Sequence, residues 1–242
     1  MENWLSRTQL LLGDKALQKL NQSHILVIGL GGVGAYAAEM LCRAGVGELT
    51  LVDADVVSET NINRQLVALH STVGKPKIDV LAARLKDINP SIQLHLIQSF
   101  LRDDATKELL EATKYDFLVD AIDTLSPKVY LLYHAVQLHI PVVSSMGSGG
   151  KVAPEQIKIA DISKSEYCRL AKMVRKRLYR LGIRKGIIVV YSPEKVEESS
   201  VELVENEQNK NSMVGTVSYM PAVFGCFMAS YVIRVLCGNK NE

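Results

Sequence analysis

Residues 24–45 read HILVIGLGGVGAYAAEMLCRAG. Four apolar positions, Ile25 to Ile28, end in a glycine, as a buried strand does when it runs into a tight turn. The turn fits G-x-G-x-x-G with Gly29, Gly31 and Gly34, and beyond it Val33, Ala37, Leu41 and Ala44 share one helical face. Strand, glycine turn and helix in that order make the motif informative, because its context is the one a phosphate-binding turn requires. Without side chains the backbone can approach a phosphate, and the helix amino terminus offers N–H groups and a positive dipole end. A tight strand–helix turn without a ligand is the plain alternative. Asp53 counts against it. It lies 19 residues after Gly34, at the end of the next strand LTLVD (49–53), where a carboxylate can accept from ribose hydroxyls.

Outward from this unit the pattern repeats. Apolar strands are expected at 93–98, 116–122 and 140–145, and helices at 76–88, 103–113 and 127–138, the last with Ser126 as N-cap and Pro127 at its first position. Strands alternating with helices predict an α/β fold, a Rossmann-like, mostly parallel sheet with helices on both faces. The second part is less regular: a basic helix over 164–181, a buried strand at 187–191 and an apolar closing helix. Residues 193–212, rich in Glu, Asn and Ser, read as a long mobile loop. We expect a single domain over 1–242, with a nucleotide-binding part (1–150) and a substrate-side extension (151–242) that completes the active site.

Composition bounds the function. A formal charge of +2 over 242 residues gives no global field for nucleic acid, so any such surface is local. The four cysteines form no C-x-x-C pair, which argues against zinc and disulfide frameworks and fits a reducing compartment, the cytoplasm. The amino terminus lacks the apolar core of a secretion signal. Residues 213–233 carry no charge and are long enough to cross a bilayer, but Pro221, two glycines and several Ser and Thr residues suit a packed helix better. No stable membrane span is expected.

The loop SETNINRQL (58–66) decides which nucleotide is bound. After Asp53 come Asp55, Asn61, Arg64 and Gln65, then Lys75 and Lys77. A nicotinamide cofactor needs the aspartate and little else. Fixed cations and amides suit a triphosphate attacked at its α-phosphorus, where they neutralise the charge of departing pyrophosphate.

The pattern N-x-x-R-Q, with Lys77 of K-P-K 12 residues after Gln65, resembles the ubiquitin-activating and ThiF/MoeB adenylating superfamily. The likeness extends to Asp123 in AIDT and Arg7 near the amino terminus. It implies that Gly31 and Gly32 approach the phosphates, that Asp53 holds the ribose, and that Asn61, Arg64 and Lys77 contact ATP. Gly29, Gly34, Asp55 and Gln65 complete the expected nucleotide set. It also implies that Asp123 holds a magnesium ion bridging phosphate oxygens, and that Arg7 reaches into the neighbour's site across a homodimer. Read alone, Asp123 could be a helix cap and Arg7 a surface charge.

ThiF and MoeB carry two zinc-binding C-x-x-C pairs, absent here, which disfavours activation of a ubiquitin-like sulfur carrier. The second half, SSMGSGGKVAPEQIKIADISKSEYCRLAKMVRKRL (144–178), GIIVVYSPE (186–194) and GTVSYMPAVFG (215–225), resembles the tRNA threonylcarbamoyladenosine dehydratases. That family adenylates the threonine carboxylate of the modified adenosine next to the anticodon of tRNA, which the ureido oxygen of the same nucleoside then attacks, so no enzyme nucleophile is implied. Cys168 departs from the family's usual reading and is expected to be a small buried or surface residue without a chemical role. From Arg169 to Lys185 there are eight basic residues and no acid. Leu170, Val174, Leu178 and Leu181 make a buried face, and Arg169, Lys172, Arg175, Lys176 and Arg180 are candidates for tRNA contact, an ordinary solvated face being the alternative. The SMGSGG loop reads as a nucleoside clamp or as a tight connection. An NAD-dependent oxidoreductase and a non-catalytic nucleotide-binding module are the remaining readings.

Overall fold

The computed structural model describes residues 3–207 and 210–238. Seven strands form one sheet: β1 His24–Ile28, β2 Glu48–Val52, β3 Gln93–Ile97, β4 Phe117–Asp120, β5 Val142–Ser145, β6 Lys158–Asp161 and β7 Ile188–Tyr191, in the spatial order β3-β2-β1-β4-β5-β7-β6. All pairings are parallel except that of β6 with β7. The central strands β1 and β4 are buried along their whole length. Continuous apolar runs in the sequence follow from that, since both faces of a parallel sheet must be covered.

Helices lie on both faces. On one face α2 (Asp14–Asn21), α3 (Gly34–Arg43), α4 (Lys77–Ile88) and α8 (Tyr219–Leu236) bury Leu20, Leu41, Leu81, Phe224 and Met228. On the other, α5 (Asp103–Ala112), α6 (Leu125–Gln137) and α7 (Arg169–Arg180) bury Leu110, Leu132, Val174 and Leu178. The short α1 (Ser6–Leu12) buries no residue.

The order of strands reverses between β1 and β4, each of which feeds a helix on a different face. At such a switch point the loops leaving the carboxyl ends diverge and open a crevice. Ile28 pairs with Asp120, so the glycine turn after β1 and the loop carrying Asp123 after β4 emerge side by side.

Three sequence expectations need correction. Residues 193–212 are not a single loop. They contain β8 Val201–Glu207 and most of β9 Lys210–Val214, an antiparallel pair, while residues 208 and 209 lie outside the described residues. Val201, Leu203 and Val204 are the apolar residues of β8 in an otherwise polar and charged run. Strand β6 is an element the sequence pattern does not announce, because KIAD is short and only partly buried at the sheet edge. Helix α6 begins at Leu125 with Thr124 as N-cap, which puts Pro127 third in the helix. Proline is tolerated there because first-turn N–H groups have no intrahelical partner.

The apolar segment is a core helix on one side. Met220, Phe224, Met228 and Val232 of α8 are buried, and Gly225 sits so close to α3 that an added Cβ would lie 2.4 Å from the Val33 carbonyl oxygen. Among the described residues α8 is the one helix long and apolar enough to cross a membrane.

Candidate active site

Two glycines of the turn are fixed by packing. Gly29 has φ +87°, and a Cβ there would meet the Ala121 carbonyl oxygen at 2.8 Å. A Cβ on Gly34 would fall 1.7 Å from the Gly29 carbonyl oxygen, so only glycine lets α3 start this close to β1. Gly31 and Gly32 have a different surrounding. A Cβ on Gly31 would approach the Gln65 amide nitrogen at 3.7 Å, and one on Gly32 would meet Pro221 Cβ at 2.9 Å and the Arg64 carbonyl oxygen at 3.4 Å. The turn is thus walled by the 58–66 loop and by the start of α8, as expected for an extension that completes the site.

Asp53 ties this turn to the second strand. Its Oδ2 accepts the Leu30 N–H at 2.5 Å and its Oδ1 accepts the Asp55 N–H at 2.8 Å. Burial pushes its carboxyl above the ordinary value, against the pull of Lys77 and of the two N–H groups. Each oxygen keeps a second lone pair for a ribose hydroxyl. Lys77 opens α4 and is buried at 4% exposure. Its Nζ lies 2.8 Å from Asp55 Oδ2, and its N–H donates to the Asp55 carbonyl at 3.0 Å.

The 58–66 loop folds as a 3₁₀ turn over Glu59–Asn61, closed by a capping box in which Asn61 Oδ1 accepts the Ser58 N–H at 3.2 Å. With that oxygen engaged, the group Asn61 can offer a phosphate is its NH₂. Arg64 donates from Nη1 to the Thr60 carbonyl at 2.9 Å and to Asn63 Oδ1 at 2.7 Å. These bonds occupy one of its three nitrogens, so the guanidinium is held by its own loop and keeps further N–H groups for an anion.

Two buried oxygens, Gln65 Oε1 and Thr124 Oγ1, have no hydrogen-bond partner among the described residues. Buried polar atoms are almost always paired. Here one belongs to the side chain against Gly31 and the other to the residue after Asp123, so both flank the crevice where a polar ligand would bind. Asp123 is exposed in the loop between β4 and α6. A single carboxylate suits magnesium, which keeps several waters and is commonly held by one or two carboxylates together with substrate phosphates. The one compact group of metal-type ligands among the described residues, His24, Glu48 and His95, starts at the amino ends of β1 and β2, away from this crevice.

The residues from 5 to 242 match the model of the ThiF family. The chain belongs to the ThiF family. Within it, the chain is 38% identical over 98% of its length to the tRNA threonylcarbamoyladenosine dehydratase of Bacillus subtilis, covering 95% of that protein. It is 40% identical over 71% of its length to the dehydratase of Escherichia coli, covering 63% of it. The crystal structure of the E. coli dehydratase with ATP superposes with a TM-score of 0.88 at 33% identity, covering 98% of this chain and 96% of that one.

Seen as a ThiF-family site, the crevice also contains residues that no sequence motif singles out. Asp120 and Lys128 are fully buried and 2.7 Å apart, and Ser144 Oγ donates to the same Asp120 oxygen at 2.6 Å. Lys128 further donates to the Ile122 carbonyl at 2.8 Å, and Asp120 Oδ1 accepts the Ile122 N–H at 3.0 Å. Together they pin the loop that carries Asp123. The available signal is a lysine on an apolar helical stripe with Leu131, Leu132 and Ala135. Lys151 is a second such residue. It is buried in the glycine-rich loop and donates to the Ser192 and Glu194 carbonyls at 3.0 and 2.7 Å, and burial lowers the pKa of its ammonium.

The same loop takes its tight reading at two positions. Gly149 packs on Val214 and Thr216, and Gly150, at φ +69°, packs on Val196. Asn63 Nδ2 donates to the Thr216 carbonyl at 3.0 Å, so the base of the β8–β9 pair joins the nucleotide loop to the glycine-rich loop. Cys168 is buried in the core beneath α7.

The basic helix needs a correction. Arg169, Lys172, Lys176 and Arg180 are exposed, but Arg175 is not part of that stripe. Its Nη1 donates to the Ile162 and Ser165 carbonyls at 3.2 and 2.6 Å and to Ser165 Oγ at 2.5 Å. The buried stripe of α7 is Ala171, Val174 and Leu178, which puts Arg175, four residues after Ala171, on its flank within reach of carbonyls of the preceding turn. Leu181, expected inside, is 37% exposed because the helix ends before it. Arg7 is exposed on α1, next to Leu10 and Leu11 at 89% and 82% exposure.

Proposed function

We propose that the protein is an ATP-dependent tRNA threonylcarbamoyladenosine dehydratase. The observation that carries this reading is the end-to-end likeness to dehydratases, one of them solved with ATP, in a chain that keeps the glycine turn, Asp53, Asn61, Arg64 and Lys77 around one crevice.

In this reading ATP lies across the carboxyl ends of β1 and β4. The backbone of Gly31 and Gly32 faces the phosphates and Asp53 accepts from the ribose. Lys77, released from Asp55, and Arg64 meet the charge that grows on the phosphates as the threonine carboxylate oxygen bonds to the α-phosphorus and pyrophosphate departs. Asp123 would hold the magnesium ion that accompanies ATP, whose chemistry would be neutralisation of phosphate charge. The ureido oxygen of the same nucleoside then attacks the activated carbonyl carbon, AMP leaves and the ureido nitrogen gives up its proton. The net change on the nucleoside is loss of one water. Attacker and target share one molecule, so the enzyme contributes alignment, which is worth several powers of ten in rate.

The rest of the assignment follows the chemistry. Arg169, Lys172, Lys176 and Arg180 meet tRNA phosphates. The two parts, 1–150 and 151–242, act as one catalytic unit. Leu10 and Leu11 form an apolar patch of the kind that a partner subunit covers, supporting a homodimer in which Arg7 enters the neighbouring site. The cytoplasm, where tRNA is modified, is the working compartment.

Mass spectrometry of nucleosides from tRNA incubated with ATP and the protein tests the activity. The expected product is threonylcarbamoyladenosine lighter by one water, with one AMP per event. Unchanged nucleoside in the presence of bound ATP would remove this reading. Arg64→Ala is expected to abolish tRNA-dependent AMP formation while the fold persists.

A further inference from the structure

Helices α6 and α7 meet along a seam that opens outward into a shallow cavity of about 300 Å³, lined by Val129, Tyr130, Arg177, Arg180 and Leu181. Its floor is apolar, with Val129 at 2% exposure, and its walls hold Tyr130 at 46% and Leu181 at 37%. One guanidinium is set in advance: Arg177 Nη1 donates to Ser126 Oγ at 2.6 Å. On the same helix, Tyr179 is 56% exposed with the Arg184 guanidinium 4.8 Å above its ring.

A merely solvated cationic face has no use for an apolar floor, the exposed Tyr130 ring in its wall and an anchored arginine. Together these suit a flat, π-rich ligand that carries phosphates. Single-stranded RNA is recognised in this way, through bases stacked on aromatic side chains and phosphates met by arginine. The place also fits. Tyr130 lies seven residues after Asp123, about 10 Å along the chain at helical rise, so a nucleotide adjacent to the reacting one can reach it.

We infer that this cavity takes an unpaired base flanking the modified adenosine of the tRNA anticodon loop, stacked on Tyr130, with Arg177 and Arg180 at the adjoining phosphates. The inference rests on the tRNA substrate proposed above.

The test is fluorescence anisotropy with a labelled anticodon stem–loop carrying the modified adenosine, without ATP, alongside steady-state kinetics. Tyr130→Ala is expected to raise the dissociation constant and the tRNA KM about tenfold, with the KM for ATP unchanged and the salt dependence of binding unaltered. Tyr130→Phe is expected to behave as wild type. Arg180→Ala is expected to reduce the salt slope by about one. Wild-type affinity in Tyr130→Ala overturns the stacking site, even where Arg180→Ala weakens binding, since contact is then through phosphates only. If the wild-type protein binds the stem–loop through Tyr130 yet never forms AMP, the activity proposed above fails and this site stands. If the wild type does not bind the stem–loop, the inference fails.

Discussion

Replacing Lys77 with alanine separates catalysis from stability. Its Nζ is buried and bonded to Asp55, whose own side chain is 67% exposed. Removing the lysine therefore leaves a carboxylate that water can solvate, and the lost ion pair is worth about 1 kcal/mol or less. Loss of the buried aliphatic stem adds about 1–2 kcal/mol. For a domain of this size that lowers Tm by roughly 2–12 °C. The catalytic effect is much larger. A fixed cation about 4 Å from a growing negative charge contributes about 4 kcal/mol at an effective dielectric constant of about 20. Asp55 cancels part of that, and removal of one preorganised donor typically costs a factor of about 10² to 10³. The expected result is a folded protein whose tRNA-dependent release of AMP and pyrophosphate falls by that factor. Parallel melting curves and a pyrophosphate assay at saturating ATP measure the two effects. Turnover within about threefold of wild type would refute the role given to Lys77, and collapse of the fold would show that the pair with Asp55 is chiefly structural.

Gly34→Ala is expected to lower Tm sharply, because its Cβ would fall on the Gly29 carbonyl oxygen; Gly182→Ala, at φ +85° with no atom within 4 Å of the added methyl, serves as the control and costs about 1–2 kcal/mol. Lys128→Met strands the buried Asp120 charge and is expected to cost about 3–5 kcal/mol in urea unfolding; an unchanged midpoint would show that the carboxylate finds other partners. Burial lowers the pKa of His24, opposed by Glu48 and Asp116 and assisted by His95. The unfolded chain therefore takes up this proton first, so stability is full above pH about 6.5 and falls as acidification passes through the lowered folded-state value. His24→Gln is expected to flatten urea midpoints between pH 7.5 and 5. Charge reversal at Lys172 and Lys176 is expected to raise the tRNA KM while sparing that for ATP, and equal kinetics would leave the stripe as a solvated face.

Local pattern carried most of the fold. The parallel core strands are buried on both faces, so their apolar runs stand out, and two glycines of the turn, Gly29 and Gly34, stand where packing forbids any replacement. Edge elements were less legible. The β6 strand is four residues long and half solvated, and the β8–β9 pair hides in a charged composition, so neither has the periodicity that burial imposes. The 58–66 loop stands out in the sequence because amides and an arginine gather there without the periodicity of a core element, and its role toward a nucleotide remains the proposal made above. The Asp120–Lys128–Ser144 cluster could not, because its logic is spatial: a strand end, a helix face and a neighbouring strand converge only after folding. Arg175 is misplaced by a face drawn through Leu181, whereas the buried stripe runs through Ala171 and has Arg175 on its flank.

The contact between Pro221 and Gly32 limits how this protein can be rearranged. Every motif that names the nucleotide lies before residue 125, which invites the idea of a portable ATP-binding fragment. Yet a wall of its phosphate turn comes from a proline almost 190 positions further along the sequence. A transplant of residues 1–150 alone would carry the signature without the backing, and a chimera that exchanges the second part is expected to retune nucleotide affinity while leaving every nucleotide motif untouched.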